Sequence, residues 1–425
     1  MTFRSMFEYK GFAYMTRLLP AGAVFDRRIF AFAASVFLSV LVCLLFGQEA
    51  VWAQNELPAS VQSPKPNPPK TFLLVLPQNG PLVELGRQAR QGAELALKTW
   101  GGGFNLEVAP EEGGAEEIDY TKVALVIGYF TETSFQQDAP RYLYLKKPVI
   151  LPYLTNPEAA ARGPYSFFRL MPDYDEQGRF MAMEILAMKT RPSRILIIQG
   201  AEDNQATLVE NLVKTLSEPI QPEAPQVEEG KKPPKAPPKI KPLDSKAKIV
   251  TVNARQALEP DSIVDFGKRT PELIILAIGL PDALRLAPVL AESKFAKTPM
   301  WGGVMLGLRE TGAAYASLKL RLSLCLPAVS LIQSSPKTLI DFKNRYVATW
   351  RTQPTWISVL AFDSMNIAIK AATSVEENGG DLAGYLSAQA HYCLGTYELT
   401  PGGRGGGKLP MAMMPVRAET IGYLP

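Results

Sequence analysis

FLLVLPQNGPLVELGRQARQGAELAL, residues 72–97, combines an apolar run, a glycine-containing turn and an amphipathic segment. The run Phe72–Leu76 has the length of a strand and is typical of one that is buried on both faces. After the turn, apolar side chains recur at steps of three or four residues, as in a helix with one apolar face; they are Leu82, Leu85, Ala89, Ala93, Ala96 and Trp100. Pro81 suits the first turn of such a helix. The stretch therefore predicts a strand followed by a helix that covers one face of a sheet.

The same alternation continues along the chain. Apolar runs that predict strands are Phe72–Leu76, Val123–Ile127, Val149–Leu151, Ile195–Ile198, Ile249–Val252 and Leu273–Ile278. Further helices are predicted at 205–218, 282–293, 337–350 and 358–373. Short apolar strands separated by amphipathic helices indicate parallel sheets covered on both faces, and 425 residues are too many for one core. The predicted fold class is α/β, with two lobes that each contain a parallel sheet.

The composition excludes several classes of function. The 45 Lys and Arg residues against 41 Asp and Glu residues leave a formal net charge of +4, too small to indicate a nucleic-acid partner. A single histidine, His391, and three cysteines exclude a His-rich metal cluster and a four-cysteine zinc site. No combination of nucleophile, base and acid stands out. We expect a protein that is not an enzyme and that needs neither a cofactor nor a metal.

Residues 1–53 have the features of an export signal. Arg27 and Arg28 precede the apolar run Ile29–Gly47, and small residues before and at Ala53 suit cleavage by a signal peptidase. The run is close to the length that spans a bilayer, so an uncleaved anchor is the alternative. Both interpretations place the rest of the chain in the periplasm and leave only this segment in the membrane. Residues 54–70 are Pro-rich and predict an extended spacer.

A second Pro-rich tract, residues 219–246, interrupts the regular α/β pattern and contains EEGKKPPKAPPKIKP. Prolines and lysines in this density do not form a packed core, so a disordered insertion in the second lobe is predicted. A solvated loop is one interpretation. A docking site for an acidic partner, or for one that reads polyproline helices, is the other.

Four stretches resemble the type I periplasmic solute-binding proteins, specifically the leucine/isoleucine/valine-binding group. The first is residues 72–97, and the others are ALVIGYFTETSFQQDAPRYLYLKKPVILPYLTNPE, GPYSFFRLMPDYDEQG and VLAFDSMNIAIKAA. The resemblance implies two Rossmann-like lobes joined by three hinge crossovers near Phe168–Pro172, Cys325–Pro327 and Leu394–Tyr397. One lobe would comprise 71–168 plus 327–395, and the other 172–325 plus 396–425.

The resemblance also implies a ligand site between the lobes. In the family's amino-acid binders, hydroxyl and backbone N–H groups of the first lobe hold the ligand carboxylate. An acid and an aromatic residue of the second lobe hold the ammonium and cover the site. The residues carried over from the first lobe are Thr131, Glu132, Thr133, Tyr153 and Thr155. From the second lobe the carry-over gives Leu280 and Val304, within the opposing segments 199–204, 279–280 and 301–304. Trp301 is expected on a separate ground, as an aromatic residue after a predicted strand that stacks on the ligand.

Three of these positions depart from the family pattern. Glu132 stands where a serine usually helps to hold the carboxylate, Leu280 near the covering aromatic residue, and Val304 near the ammonium-binding acid. A carboxylate at Glu132 repels a ligand carboxylate unless it turns away or the ligand is cationic at that end. A buried ammonium without a counter-charge is costly. These departures argue against leucine as the ligand.

The two cysteines that follow the export segment, Cys325 and Cys393, fall at or beside the implied crossovers. An oxidising compartment would permit a disulfide across the hinge. Two free thiols that pack as small apolar side chains are the alternative.

The function implied by the resemblance is capture of a small polar solute, such as an amino acid or a related amide or carboxylate. The protein would deliver it to an ABC importer permease or a membrane receptor. The alternative is a cell-envelope regulator on the same fold, resembling penicillin-binding-protein activators. The Pro-rich tracts, the possible anchor and Glu132 favour that alternative.

Overall fold

The computed structural model describes residues 70–113, 118–161, 166–221, 239–259, 269–327, 336–388, 390–399, 409 and 411–416. The chain divides into two units, Met1–Asn67 and Pro68–Pro425. The predicted export segment 1–53 and the spacer up to residue 69 lie outside the described residues. Within the described residues, no helix has both the length and the apolar character that crossing a membrane requires.

Strands and helices alternate along the chain, as the apolar pattern predicts. The first group comprises β1 (Thr71–Leu76), α1 (Val83–Trp100), β2 (Asn105–Pro110), β3 (Val123–Gly128), α2 (Glu132–Tyr144), β4 (Val149–Leu151), α3 (Pro157–Ala161) and β5 (Phe167–Arg169). The second comprises α4 (Tyr174–Ala187), β6 (Arg194–Gln199), α5 (Asp203–Ser217), β7 (Lys248–Asn253), α6 (Ala254–Ala257), β8 (Leu273–Ala277), α7 (Leu280–Glu292), β9 (Met300–Gly302), α8 (Arg309–Ser317) and β10 (Leu322–Pro327). The last comprises α9 (Pro336–Trp350), α10 (Trp356–Asn378), α11 (Leu382–Ala388), β11 (Ala390–Tyr392), β12 (Thr396–Glu398) and β13 (Met411–Pro415).

These elements form two lobes, each built on one sheet. The first sheet has the order β2-β1-β3-β4-β5 and is parallel throughout. The second has the order β13-β10-β9-β8-β6-β7 and is parallel except where β13 pairs with β10. The chain leaves the first sheet after β5, returns to that lobe with α9–α11, and joins the second sheet again at β13. The α/β class and the two-lobed architecture predicted from the sequence are therefore confirmed.

Alternation along β1 explains how the first sheet is covered on both faces. Phe72, Leu74 and Leu76 belong to the core that includes α1 and α10, whereas Leu73 and Val75 belong to the core that includes α2. Successive strand residues point to opposite faces, so an unbroken apolar run gives both helical layers a surface to pack on.

The first crossover between the lobes is fixed by a buried arginine. The guanidinium of Arg169 donates to the carbonyl oxygens of Thr155 and Met171 at 3.1 and 2.9 Å. It also pairs with the carboxylate of Asp173 at 3.2 Å, and Asp173 caps the N-terminus of α4. One side chain thus ties the loop after β4 in the first lobe to the first helix of the second lobe.

The structure distinguishes between the two interpretations of the cysteines. Cys325 and Cys393 are free thiols, which is the second of the two alternatives that the sequence left open. Cys325 packs within the core of the second lobe, while the Cys393 Sγ lies 3.9 Å from the carbonyl oxygen of Asp363 in α10.

Of the predicted insertion 219–246, residues 222–238 lie outside the described residues. At its two ends, Ile220 and Ile240 pair through backbone hydrogen bonds.

Candidate functional site

A cavity of about 560 Å³ lies where the carboxyl ends of strands from both sheets meet. The first lobe contributes residues that follow β3 and β4, and the second contributes residues that follow β6, β8 and β9. Parallel sheets place loops and helix N-termini at this end of their strands, and these are the usual ligand-binding groups of open α/β sheets. The topology therefore gathers residues from distant parts of the sequence around one space.

Six of the eight residues expected in the site line this cavity: Thr131, Glu132, Thr133, Tyr153, Thr155 and Leu280. Trp301 and Val304 do not. Trp301 lies in β9 with only 8% of its surface exposed and packs into the core of the second lobe. Val304 is fully buried, and its N–H donates to the Oε1 of Gln177. Val304 is the first residue of a 3-10 turn at Val304–Leu306, and within that turn Met305 lines the cavity instead.

A buried glutamate organises the loop after β3. The Oε1 atom of Glu111, at the end of β2, accepts the N–H of Phe130 at 3.1 Å and that of Thr131 at 2.6 Å. It also accepts the Thr131 hydroxyl at 2.7 Å. Burial is the main cause of the raised pKa of Glu111, and these hydrogen bonds oppose it. Donors at the N-terminus of α2, which are suited to an anionic ligand, therefore already hold a carboxylate of the protein.

The backbone of that loop is held by a tyrosine in an uncommon conformation. Tyr129 has a φ of 72°, in the left-handed region that favours glycine. Its ring is buried and packs edge-to-face on Phe135, and its hydroxyl donates to the carboxylate of Asp138 at 2.7 Å. These contacts offset the backbone strain, so that the following residue, Phe130, reaches the cavity wall.

Two carboxylates from opposite lobes face the cavity. Glu132, at the start of α2, accepts the side-chain amide of Asn156 at 2.9 Å. Glu202, which caps α5, accepts the side-chain amide of Gln205 at 3.0 Å. Burial, followed by repulsion from Glu202 and Glu158, raises the pKa of Glu132. Within the described ranges, no Lys, Arg or His side chain lines the cavity, so these two acids set its charge.

The remaining walls are aromatic and apolar. The rings of Phe130 and Tyr153 are stacked with centroids 4.0 Å apart, and both residues line the cavity. The Tyr153 hydroxyl donates to the carbonyl oxygen of Ile357, which fixes this ring from behind. Tyr174, from the second lobe, also lines the cavity, and burial raises its pKa to about 12, with Glu202 and Glu132 adding to the shift. The cavity therefore combines aromatic surface with negative charge.

Sequence reasoning identified most of the first-lobe side of the cavity but missed important members. Glu202 falls inside the segment 199–204 that was expected to oppose the first lobe, yet the sequence did not single it out. Phe130 was not singled out either, and Tyr174 was missed. Phe130 and Glu202 lie two and three residues after the ends of β3 and β6, and position after a strand selects such a segment but not the side chain within it. Among the described residues, no group of three or more His, Cys, Asp or Glu side chains is arranged to hold a metal.

Solved structures with this architecture include substrate-binding proteins of ABC transporters. The leucine-binding protein LivK of Thermotoga maritima is 15% identical, with a TM-score of 0.60, and the match covers 82% of this chain and 98% of that chain. LivJ of Streptococcus pneumoniae, solved in complex with isoleucine, is 14% identical, with a TM-score of 0.58 and coverages of 81% and 99%. A solute-binding protein of R. palustris, solved in complex with benzoate, is 16% identical, with a TM-score of 0.57 and coverages of 84% and 99%.

Comparison with protein-family models finds no match, and neither does comparison with curated protein sequences. The similarity to the solved structures extends over nearly the full length of each of them. At this level of sequence identity the similarity concerns the fold, and not the ligand. The chain has the two-lobed fold of the substrate-binding proteins of branched-chain amino acid ABC transporters.

Proposed function

We propose that this protein is a periplasmic solute-binding protein, which holds a small molecule in the cavity between its lobes. The observation that carries the proposal is the cavity of about 560 Å³ lined by both lobes at the carboxyl ends of their parallel strands. A space of this size suits a small organic molecule. The structural neighbours, which are solved with isoleucine and with benzoate, support the proposal.

Binding would act through closure of the lobes. A solute that contacts both walls, for example Thr131 or Tyr153 on one side and Leu280 on the other, interacts more strongly when the lobes are closed. It therefore shifts the equilibrium between open and closed forms by its difference in affinity for the two. The chain itself needs to supply no chemistry, and no catalytic step is part of the proposal.

The closed form would be recognised by an ABC importer permease or a membrane receptor. This partner follows from the fold shared with substrate-binding proteins of ABC transporters and from the predicted export segment at 1–53. Release of the solute to the partner requires the lobes to reopen, so the binding should be reversible.

The proposal predicts that a solute from a chemically varied panel raises the melting temperature of the chain from residue 54 onward. The panel contains amino acids, amides, carboxylates and amines, and the shift follows RT ln(1 + [L]/Kd). Replacing Thr133, an exposed residue at the cavity wall, with Trp should abolish the shift by filling the space. Thr99→Trp is the matched control, because Thr99 is exposed at the far end of α1 and should leave the shift unchanged.

A panel in which no solute stabilises the protein would contradict the proposal. Recovery of a cell-envelope enzyme by this chain, in the absence of any stabilising solute, would instead support the regulatory alternative. A stabilising solute whose effect survives Thr133→Trp would show that it binds elsewhere on the protein.

A further inference from the structure

Three donors of the first lobe that suit an anionic ligand already bind a carboxylate of the protein. The N–H groups of Phe130 and Thr131 donate to the carboxylate of Glu111, as does the Thr131 hydroxyl. Glu132 adds a second negative charge to the first turn of α2. A helix N-terminus attracts anions through its free N–H groups and dipole, and here two carboxylates, those of Glu111 and Glu132, already lie at that end of α2.

The second lobe repeats this arrangement. Glu202 is the capping residue of α5, and its carboxylate accepts a hydrogen bond from Gln205. No Lys or Arg side chain from the described residues lines the cavity to offset this charge. A solute carboxylate would therefore meet two carboxylates and no cationic side chain, and like charges juxtaposed in a site weaken binding.

The cavity wall also offers an aromatic surface to a ligand. Phe130 and Tyr153 form a stacked pair in the wall next to Glu132. Aromatic faces attract organic cations, and carboxylates supply the counter-charge. We infer that the cavity takes an organic ammonium, held between Glu132 and Glu202 of opposite lobes with its apolar part against Phe130 and Tyr153. This inference rests on the proposed function and names the chemical class of its solute.

Three probes with the same ring and different charge test the inference: benzylamine, benzyl alcohol and benzoate. Their affinities are measured by isothermal titration calorimetry near neutral pH and at low salt, where charge effects are weakly screened. We expect benzylamine to bind at least about tenfold more tightly than benzyl alcohol, because its ammonium gains a favourable contact with a carboxylate that the neutral alcohol lacks. Benzoate should bind more weakly than the alcohol.

Two variants test whether the carboxylates of Glu132 and Glu202 cause the preference for benzylamine. Glu202→Gln and Glu132→Gln keep the size of the side chain and an oxygen that can accept from Gln205 or Asn156, and they remove one charge each. Each should weaken benzylamine binding about tenfold and leave benzyl alcohol binding within about twofold. Glu210→Gln is the control, because Glu210 is an exposed acid on α5 and does not line the cavity.

The outcomes separate the inference from the function on which it rests. Benzoate or L-leucine binding as tightly as benzylamine would overturn the ammonium inference and leave the solute-binding function standing. Benzylamine affinity that is unchanged in both glutamine variants would also overturn it. If no amine, amide, amino acid or carboxylate binds at all, the proposed function fails, and the inference fails with it.

Discussion

Two glutamates set the charge of the cavity wall. The carboxylate of Glu132 is half-buried, and it has Glu202 and Glu158 as its acidic neighbours and the Asn156 amide as its hydrogen-bond donor. Burial and the two neighbouring acids raise its pKa, and Asn156 opposes that shift. In the empty cavity, Glu132 therefore takes up a proton at a higher pH than an ordinary glutamate does.

This shift predicts a pH-dependent affinity for an ammonium. A bound cation favours the charged form of Glu132 and lowers its pKa, so binding and protonation compete. Affinity for benzylamine should be highest above the pKa of Glu132 in the free protein and should fall as the pH decreases through that value. Calorimetry from about pH 8 to about pH 4 checks this, because benzylamine stays charged throughout. Affinity that rises on acidification would contradict it, and Glu132→Gln should flatten the profile.

A buried aspartate, Asp363, holds the segment that leads out of the first lobe. Asp363 is fully buried in α10, and its two oxygens accept the N–H groups of Leu394 and Gly395 and the hydroxyl of Tyr397. Burial raises the pKa of Asp363 to about 7, although all three hydrogen bonds favour the charged form. One carboxylate thus satisfies three donors of the hairpin between β11 and β12.

Asp363→Asn should destabilise the protein, because the new amide nitrogen would face donors instead of accepting from them. The expected loss in the free energy of unfolding is about 1–3 kcal/mol, the cost of leaving a buried donor without a partner. Urea denaturation measures this value. Asp341→Asn, at an exposed position on α9, serves as the control. Equal stabilities of the two variants would show that Asp363 does not hold the hairpin.

Individual site residues were assigned from the family resemblance and from positions after predicted strands. Thr131, Tyr153 and Thr155 were carried over from the resemblance, and all three line the cavity. Trp301 was also expected from its place near a strand. However, it lies within β9, where its side chain packs into the core. Which way a side chain points depends on the register of that short strand, and an apolar pattern of three residues does not fix a register.

At the scale of elements, the first lobe depends on the contact between α1 and α10. The helices approach so closely that a Cβ added at Gly92 would stand 2.1 Å from the carbonyl oxygen of Ser358. Buried polar contacts reinforce the approach. The Thr355 hydroxyl, at the N-terminus of α10, donates to Gln88 at 2.6 Å. The Tyr346 hydroxyl, in the neighbouring helix α9, donates to Gln91 at 2.8 Å and ties α9 to α1. Both glutamines lie on the buried face of α1.

Gly92→Ala should therefore lower stability even though alanine is the better helix former. The methyl group meets backbone atoms, so the helices must separate, and overpacking of this kind costs about 1–3 kcal/mol. Lys98→Ala on the exposed face of α1 is the control and should change the free energy of unfolding by less than about 0.5 kcal/mol. Chemical denaturation compares the two. A stabilised Gly92→Ala variant would mean that the helices are not in close contact.

The elements themselves were largely predictable, because the apolar pattern is a local signal. The stripe on residues 82–100 corresponds to α1 at Val83–Trp100, and the run Leu273–Ile278 contains β8 at Leu273–Ala277. By contrast, β13 was not predicted. Met411–Pro415 pairs antiparallel with β10, which lies far away in the sequence, and β13 is only partly buried. Its strand structure comes from that distant partner and not from its own pattern.

At the scale of the whole molecule, the two lobes share a single space that neither lobe could enclose alone. The first crossover, with Arg169 bonded to Thr155 in one lobe and to Asp173 at the start of α4 in the other, anchors the site directly to the hinge. Thr155 also lines the cavity. In the proposed closure, movement of the lobes would therefore change the geometry of the site, and a solute in the site would bias that movement.

Small-angle X-ray scattering of the chain from residue 54 onward, with and without a saturating solute, tests closure of the lobes most directly. The solute is the one that stabilises the protein most in the thermal-shift panel, with benzylamine measured beside it. We predict a smaller radius of gyration on binding, and no change for Thr133→Trp with either solute. Identical scattering profiles for the free protein and for protein shown by calorimetry to be saturated would contradict closure of the lobes around a bound solute.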